Sequence, residues 1–214
     1  MAFDVMLRQL AEGMVGSVLI FGLTLIFSLP LGLLVALGRM SKNKVLSSFI
    51  GLLISVLRGT PLMLQLLVVY FFPYYLFGWS ISGWRFPAII VGFSINYAAY
   101  FAEIYRSGIE AVPKGQWEAA SILGYSKAQT FVRIILPQVI KIILPAITNE
   151  IITLVKDTSL AFSLSYMEMF TIAKQIAASN TTFVPFVVSA IFYYVFNLIV
   201  AFVMRRLEKR MAYY

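Results

Sequence analysis

The sequence predicts an all-α membrane protein of about five transmembrane helices. Its N-terminus is expected outside, its C-terminus inside, with a cytoplasmic helix between spans three and four. Three observations carry that prediction. Of the 214 residues, 61% are hydrophobic and only 12% charged, whereas a soluble domain has about 25% charged residues. The mean hydropathy is +0.89. The charges also gather into short stretches between long apolar runs, and the basic ones fall mostly on one side of those runs. Cysteine and histidine are both absent. That excludes a disulfide framework, Cys/His metal or haem sites, and Cys–His or Ser–His–Asp catalysis, so no metal site is expected. The net charge of +8 reads as basic loops beside a bilayer and not as a nucleic-acid surface.

The first span, 13–38, is 26 residues without a charge, enough for a tilted helix across a core of about 30 Å. It exceeds a signal-peptide apolar region and lacks a small-residue cleavage site, so it is kept as a mature span. The run 45–57 is apolar but too short to cross alone. Arg58-Gly59-Thr60-Pro61 then interrupts the helix signal, a break expected at the inner boundary with Arg58 in a structural role. The second span, 59–77, ends in the aromatic residues Tyr70 to Trp79, as suits a membrane–water interface. The third is 86–105. Segment 106–141 mixes charge, Gly and Pro and is not expected in lipid; the coupling loop is placed at 113–136, a fourth span at 137–155 and a fifth at 183–204. The whole of 1–214 is read as a single transmembrane domain.

Five spans put the termini on opposite sides. With the C-terminus inside, 13 basic residues face inward, and only Arg8, Arg85, Lys156 and Lys174 face outward. The positive-inside rule therefore selects N-out, C-in. No internal repeat supports a repeat-built carrier.

The stretch from Pro113 to Tyr125 reads as a short helix started by Pro113 and stopped by Gly124. A second amphipathic turn then leads to Ile134 and Leu136-Pro137. A short cytoplasmic helix suits a grip by a soluble partner, and an ordinary interfacial helix is the competing use. Glu118-Ala119-Ala120, Gly124 six residues after the Glu, Ile134, and Leu136-Pro137 resemble the EAA loop of binding-protein-dependent ABC importer permeases. Arg58-Gly59-Thr60-Pro61 with Gln65, the run Ala98–Gly108, and Lys156-Asp157-Thr158-Ser159-Leu160 are similar to the polar amino acid branch, of histidine/arginine and glutamine type.

The resemblance implies a permease subunit of the cell membrane that pairs with a second permease, a homodimer in preference to a heterodimer. It implies two ATP-binding subunits that carry ATP and Mg, and an external amino-acid-binding protein. Glu118, Ala119, Ala120 and Gly124 would sit at the docking contact with the ATPase, which drives alternating access. No Gly is followed by Lys anywhere in the chain, so it has no phosphate loop of its own. It is expected to be a transport component and not an enzyme, without a cofactor.

Ionisable groups inside a span are costly and read as functional. Asn96, Tyr100 and Glu103 share one face of the third span. On the fourth, Asn149, Thr153 and Lys156 share a stripe flanked by Glu150 and Asp157. A zwitterion needs an acceptor for its ammonium and a donor for its carboxylate. Asn96, Tyr100, Glu103, Lys156 and Asp157 are therefore the candidate substrate-binding residues, with Glu103 first in line for a basic side chain. The competing uses are an i,i+3 pair of Glu103 with Arg106, interhelical hydrogen bonds for Asn96 and Tyr100, and an outer-boundary, solvated Lys156–Asp157. The expected cargo is arginine, histidine or lysine, with glutamine or glutamate as the alternative. An ion-coupled carrier or channel using Glu103 and Glu150 is the reading from another class, and an intramembrane enzyme lacks a nucleophile–base pair.

Overall fold

The computed structural model describes residues 2–211, and among them no strand occurs. The first helix, α1 (Phe3–Arg39), has 37 residues. At about 1.5 Å per residue it is longer than the apolar core of a bilayer. A stripe of small and polar residues (Gly13, Gly16, Ser17, Thr24, Ser28, Gly32 and Ala36) is buried along it. That stripe lets large neighbours come close: a methyl placed on Gly32 would lie 2.8 Å from Phe101 Cβ. Small-against-large packing is how helices associate where lipid removes the hydrophobic drive.

Helix α2 (Lys44–Gly59) starts with Asn43, whose side chain accepts from the Val45 and Leu46 amides. It meets α3 (Leu62–Phe77) at a bend of 113°. Helix α3 stops at Gly78, which takes the left-handed conformation (φ 66°) and donates to the Tyr74 carbonyl. The aromatics at this end, from Phe72 to Trp79, are largely exposed.

Helix α4 (Arg85–Glu110) is the centre of the bundle. Its middle, from Ala88 to Ala102, is mostly buried against α1, α2 and α3. Beyond it lie α5 (Lys114–Ile122) and the single turn α6 (Lys127–Thr130). A five-residue π turn, Phe131–Ile135, then enters α7 (Leu136–Asp157), which ends in a 3₁₀ stretch, Thr158–Leu164. Helix α7 packs on α4, where Gly108 leaves room for Ile143: a methyl there would overlap Ile143 Cγ2. Helix α8 (Met169–Asn180) and the long α9 (Val184–Met211) complete the chain.

Four helical segments are long and apolar enough to cross a membrane, and there are five if the bent α2–α3 pair is one span. We call the end of the bundle that carries α5 and α6 the loop end. The expected spans 13–38, 86–105 and 137–155 fall inside α1, α4 and α7, which run beyond those bounds, while 183–204 starts one residue before α9 and 59–77 includes the break before α3. The exception in character is the second. Its break is not at a boundary but beside Asn96, about midway along α4, where Asn96 donates to the Leu57 carbonyl at 3.2 Å.

Candidate functional site

A broken helix inside a membrane leaves carbonyls and amides without partners. Here Gln65 answers that need: its amide nitrogen donates to Leu57 O (2.7 Å), Thr60 O (3.1 Å) and Thr60 Oγ1 (2.8 Å). Asn96 in turn donates to Gln65 Oε1 at 2.9 Å. The break is thus tied to α4 by side-chain amides, which explains how it can sit mid-span. Arg58, just before the break, stacks its guanidinium 5.1 Å from the centre of the Tyr100 ring.

The break, α4 and α7 enclose a cavity of about 450 Å³. Thr60, Pro61 and Leu62 line one side, Asn96, Tyr97 and Tyr100 a second, and Glu150, Thr153, Asp157 and Leu160 a third. On α7, Glu150, Thr153 and Asp157 fall at i, i+3 and i+7, one face of a helix, and Leu160 belongs to the 3₁₀ stretch that follows. Tyr97 donates to Asp157 Oδ2 at 2.7 Å and holds that carboxyl at the cavity wall. Helix α3 starts at this wall, with Leu62 on it, and a helix start is the positive end of its dipole. Carboxyl groups on one wall and a helix start on another are what the two ends of a zwitterion require.

Of the sequence-expected residues, the structure brings Asn96, Tyr100 and Asp157 to this cavity. Glu103 is not on its wall. It forms a two-point ion pair with Arg106, Nη2–Oε2 at 2.7 Å and Nε–Oε1 at 3.2 Å, and Arg106 also reaches Glu110. Lys156 is exposed and likewise off the wall, because the α7 face that points inward is that of Glu150 and Asp157. The sequence reading does not find Tyr97, and it gives Glu150 as a flanking acid and as an ion site of the alternative carrier, not as a substrate-binding residue. The signal available was the seven-residue spacing of the two acids on the fourth span. Among the described residues no cluster of acids suits a metal ion.

The loop end carries the second candidate region. Pro113 precedes α5, and Gly124 ends it in the left-handed conformation (φ 79°). Tyr125 N donates to Ala120 O at 3.0 Å, and Gly124 N to Ser121 O at 3.0 Å. Only a residue without a Cβ takes that conformation at no cost. Glu118, Ala119 and Gly124 are exposed, whereas Ala120 is turned inward at 1% exposure. Trp117 stacks on Phe131 at 6.4 Å, so α5 is joined to the π turn at the start of α7. On the outer side Ile122 and Leu123 are 86% and 74% exposed, an apolar pair with nothing on it.

A family model described as the inner membrane component of binding-protein-dependent transport systems matches residues 28–213. The chain belongs to this family. It is accordingly a multi-pass membrane component of a transport system, and not an enzyme. Among relatives, the L-cystine transport system permease protein TcyB of Bacillus subtilis (strain 168) is 37% identical over 195 residues, covering 90% of this chain and 82% of its own. The arginine transport system permease protein ArtQ of the same organism is 36% identical over 201 residues, covering 94% and 91%. A putative glutamine transport system permease protein, GlnP of Rickettsia bellii (strain RML369-C), is 38% identical over 190 residues, covering 88% and 86%. The fold of the permease matches a crystal structure of an amino acid ABC transporter with histidines. The TM-score is 0.87 at 32% identity over 98% of this chain and 99% of that one. The MetNI methionine transporter in an inward-facing crystal form shares the fold at TM-score 0.76 and 18% identity, each chain fully covered.

Proposed function

We propose that this permease is the membrane-spanning subunit of an ATP-driven importer for basic amino acids such as arginine, histidine or lysine. The observation that carries the reading is the pair Glu150 and Asp157 on one wall of the cavity between α3, α4 and α7, with no cationic side chain among the described residues that line it and Arg58 engaged by the Tyr100 ring. Two carboxyl groups suit a substrate with a second positive charge. Asn96, Tyr100 and Thr153 supply neutral hydrogen-bonding groups, and the start of α3 faces the substrate carboxylate. The relatives named for cystine and glutamine favour a second reading, a neutral polar amino acid held by the same groups.

ATP and Mg are bound by a separate subunit, present in two copies beside a homodimer of this permease. A binding protein outside the membrane delivers the substrate. The loop end faces the cytoplasm, giving N-out and C-in, in line with the basic residues gathered there. The surface of Glu118, Ala119 and Gly124 docks into the ATPase, and Ala120 packs α5 from beneath. Movement of α5 passes through Trp117 and Phe131 into α7, the helix that bears Glu150 and Asp157. The π turn is a soft joint on that route.

Uptake into liposomes by the assembled transporter tests this. One of the two acids takes the α-ammonium common to both substrates, so of Asp157→Asn and Glu150→Gln one is expected to weaken uptake of both amino acids and the other to lower arginine uptake about tenfold while leaving glutamine uptake nearly unchanged. Equal loss of arginine and glutamine uptake in both variants would overturn the assignment of a second acid to the basic side chain. Uptake driven by an ion gradient without the ATPase would overturn the importer reading.

A further inference from the structure

Away from the cavity, α1 and α9 diverge and leave an apolar groove of about 390 Å³ between them. Met14 and Val18 line it from α1, and Ile191, Val195, Phe196 and Ile199 from α9. Val18, Ile191, Val195 and Ile199 are exposed. Gly22 follows Met14 and Val18 at four-residue spacing on the same face of α1, and a methyl there would meet nothing within 4 Å. The Phe21–Phe196 edge contact, at 5.3 Å, places Gly22 level with this part of α9. The missing side chain therefore extends the groove toward the loop end.

The groove face of α9 continues in sequence. Val195, Ile199, Phe202, Arg206 and Arg210 follow at spacings of four, three, four and four, one stripe of a helix. Arg206 is held over the Phe202 ring, 5.0 Å from its centre. Arg206 and Arg210 are exposed, with Arg205 and Lys209 beside them. The acid of this segment, Glu208, lies on the opposite face, where it accepts the Thr148 hydroxyl. It leaves the basic stripe uncancelled. Arg206 stands 11 residues, about 16 Å, along the axis from Val195. That is close to half the apolar thickness of a bilayer, about 15 Å.

We propose that the α1–α9 groove and the Arg206/Arg210 stripe form a binding site for an anionic phospholipid, with an acyl chain in the groove and the phosphate on the guanidinium groups. The distance from charge to groove is the length of one leaflet. An apolar trough ending in planar, phosphate-matching donors fits that molecule better than free phosphate or a water-soluble ligand. The site is separate from the cavity that carries the transport reading, and its test does not use transport.

Native mass spectrometry of the intact chain, released from nanodiscs of equal phosphatidylglycerol and phosphatidylcholine, reads the retained lipid directly. The wild type is expected to retain about tenfold more phosphatidylglycerol than phosphatidylcholine. The double variant Arg206→Gln/Arg210→Gln is expected to retain both equally. Gly22→Leu, which fills open space, is expected to lower retention of both. Equal retention by the wild type, an unchanged preference in the double variant, or unchanged retention in Gly22→Leu would overturn the site. So would a disulfide-linked dimer of Val195→Cys in the nanodisc, since a second copy would then cover the groove. The chain has no native cysteine, so that disulfide reports one contact only.

Discussion

Glu168 shows at the scale of one residue how a carboxyl is used here for structure. It is fully buried at the start of α8. It accepts from the Phe170 and Thr171 amides at 2.7 Å each and from the Thr171 hydroxyl at 2.8 Å. Tyr193 of α9 donates to it at 3.1 Å and Ser17 of α1 at 3.4 Å. Three helices thus converge on one side chain. Gly13 permits the approach, since a methyl there would lie 2.8 Å from Met169 Cα. Burial opposes the charged form and raises the Glu168 pKa, and those hydrogen bonds offset part of the rise. Glu168→Ala leaves several buried donors unpaired and is expected to destabilise the fold by about 3 kcal/mol. Glu168→Gln keeps an acceptor oxygen and is expected to restore part of the loss. Thermal unfolding in detergent checks both, and an unchanged midpoint for Glu168→Ala would contradict the role.

Among the elements, α5 has the most to gain from a partner. A nine-residue helix is marginal by itself, and this one is anchored from below by Ala120 and Trp117 while Ile122 and Leu123 stand in water. Replacing both with Asp is expected to leave the bundle folded and to reduce co-purification of the ATPase subunit at least about tenfold, as for loss of a central apolar anchor. Glu118→Lys and Gly124→Pro are expected to uncouple ATP hydrolysis from uptake, the second because Pro cannot adopt the φ of 79° that ends α5. Normal ATP-driven uptake in both variants would count against the docking assignment. The α2–α3 break is a different kind of element. Its sequence signal, Gly and Pro in succession, locates the bend but says nothing of depth. The depth follows from Gln65 and Asn96, which make the opened backbone tolerable inside a span.

For the whole molecule, the testable property is orientation. With the loop end in the cytoplasm, a single cysteine at Ser80, between α3 and α4, is expected to react with an impermeant maleimide added outside intact cells. One at Ser126, beside α6, is expected to react only after permeabilisation. The reverse pattern would overturn the N-out, C-in assignment. The two positions are exposed; Ser126 caps the four-residue α6 through the Gln129 amide, so its replacement is expected to loosen that turn and not the bundle.

The resemblance of the loop segment pointed to the family; composition and spacing alone established the membrane class, the long apolar runs and the helix–Gly–turn pattern of that segment. Each of these follows from local chemistry: apolar runs cannot stay in water, and Gly and Pro restrict the backbone wherever they stand. The choice of which polar groups meet was beyond such reading. Glu103 and Glu150 are both intramembrane acids by sequence, yet one is bound to Arg106 a turn away and the other lines a cavity. Asp157 and Lys156 are neighbours in the chain, yet only Asp157 turns inward to Tyr97. One residue along a helix is about 100° of rotation. The direction each side chain faces is set by how α4 and α7 pack through Gly108 and Ile143, a contact between residues 35 apart in the chain.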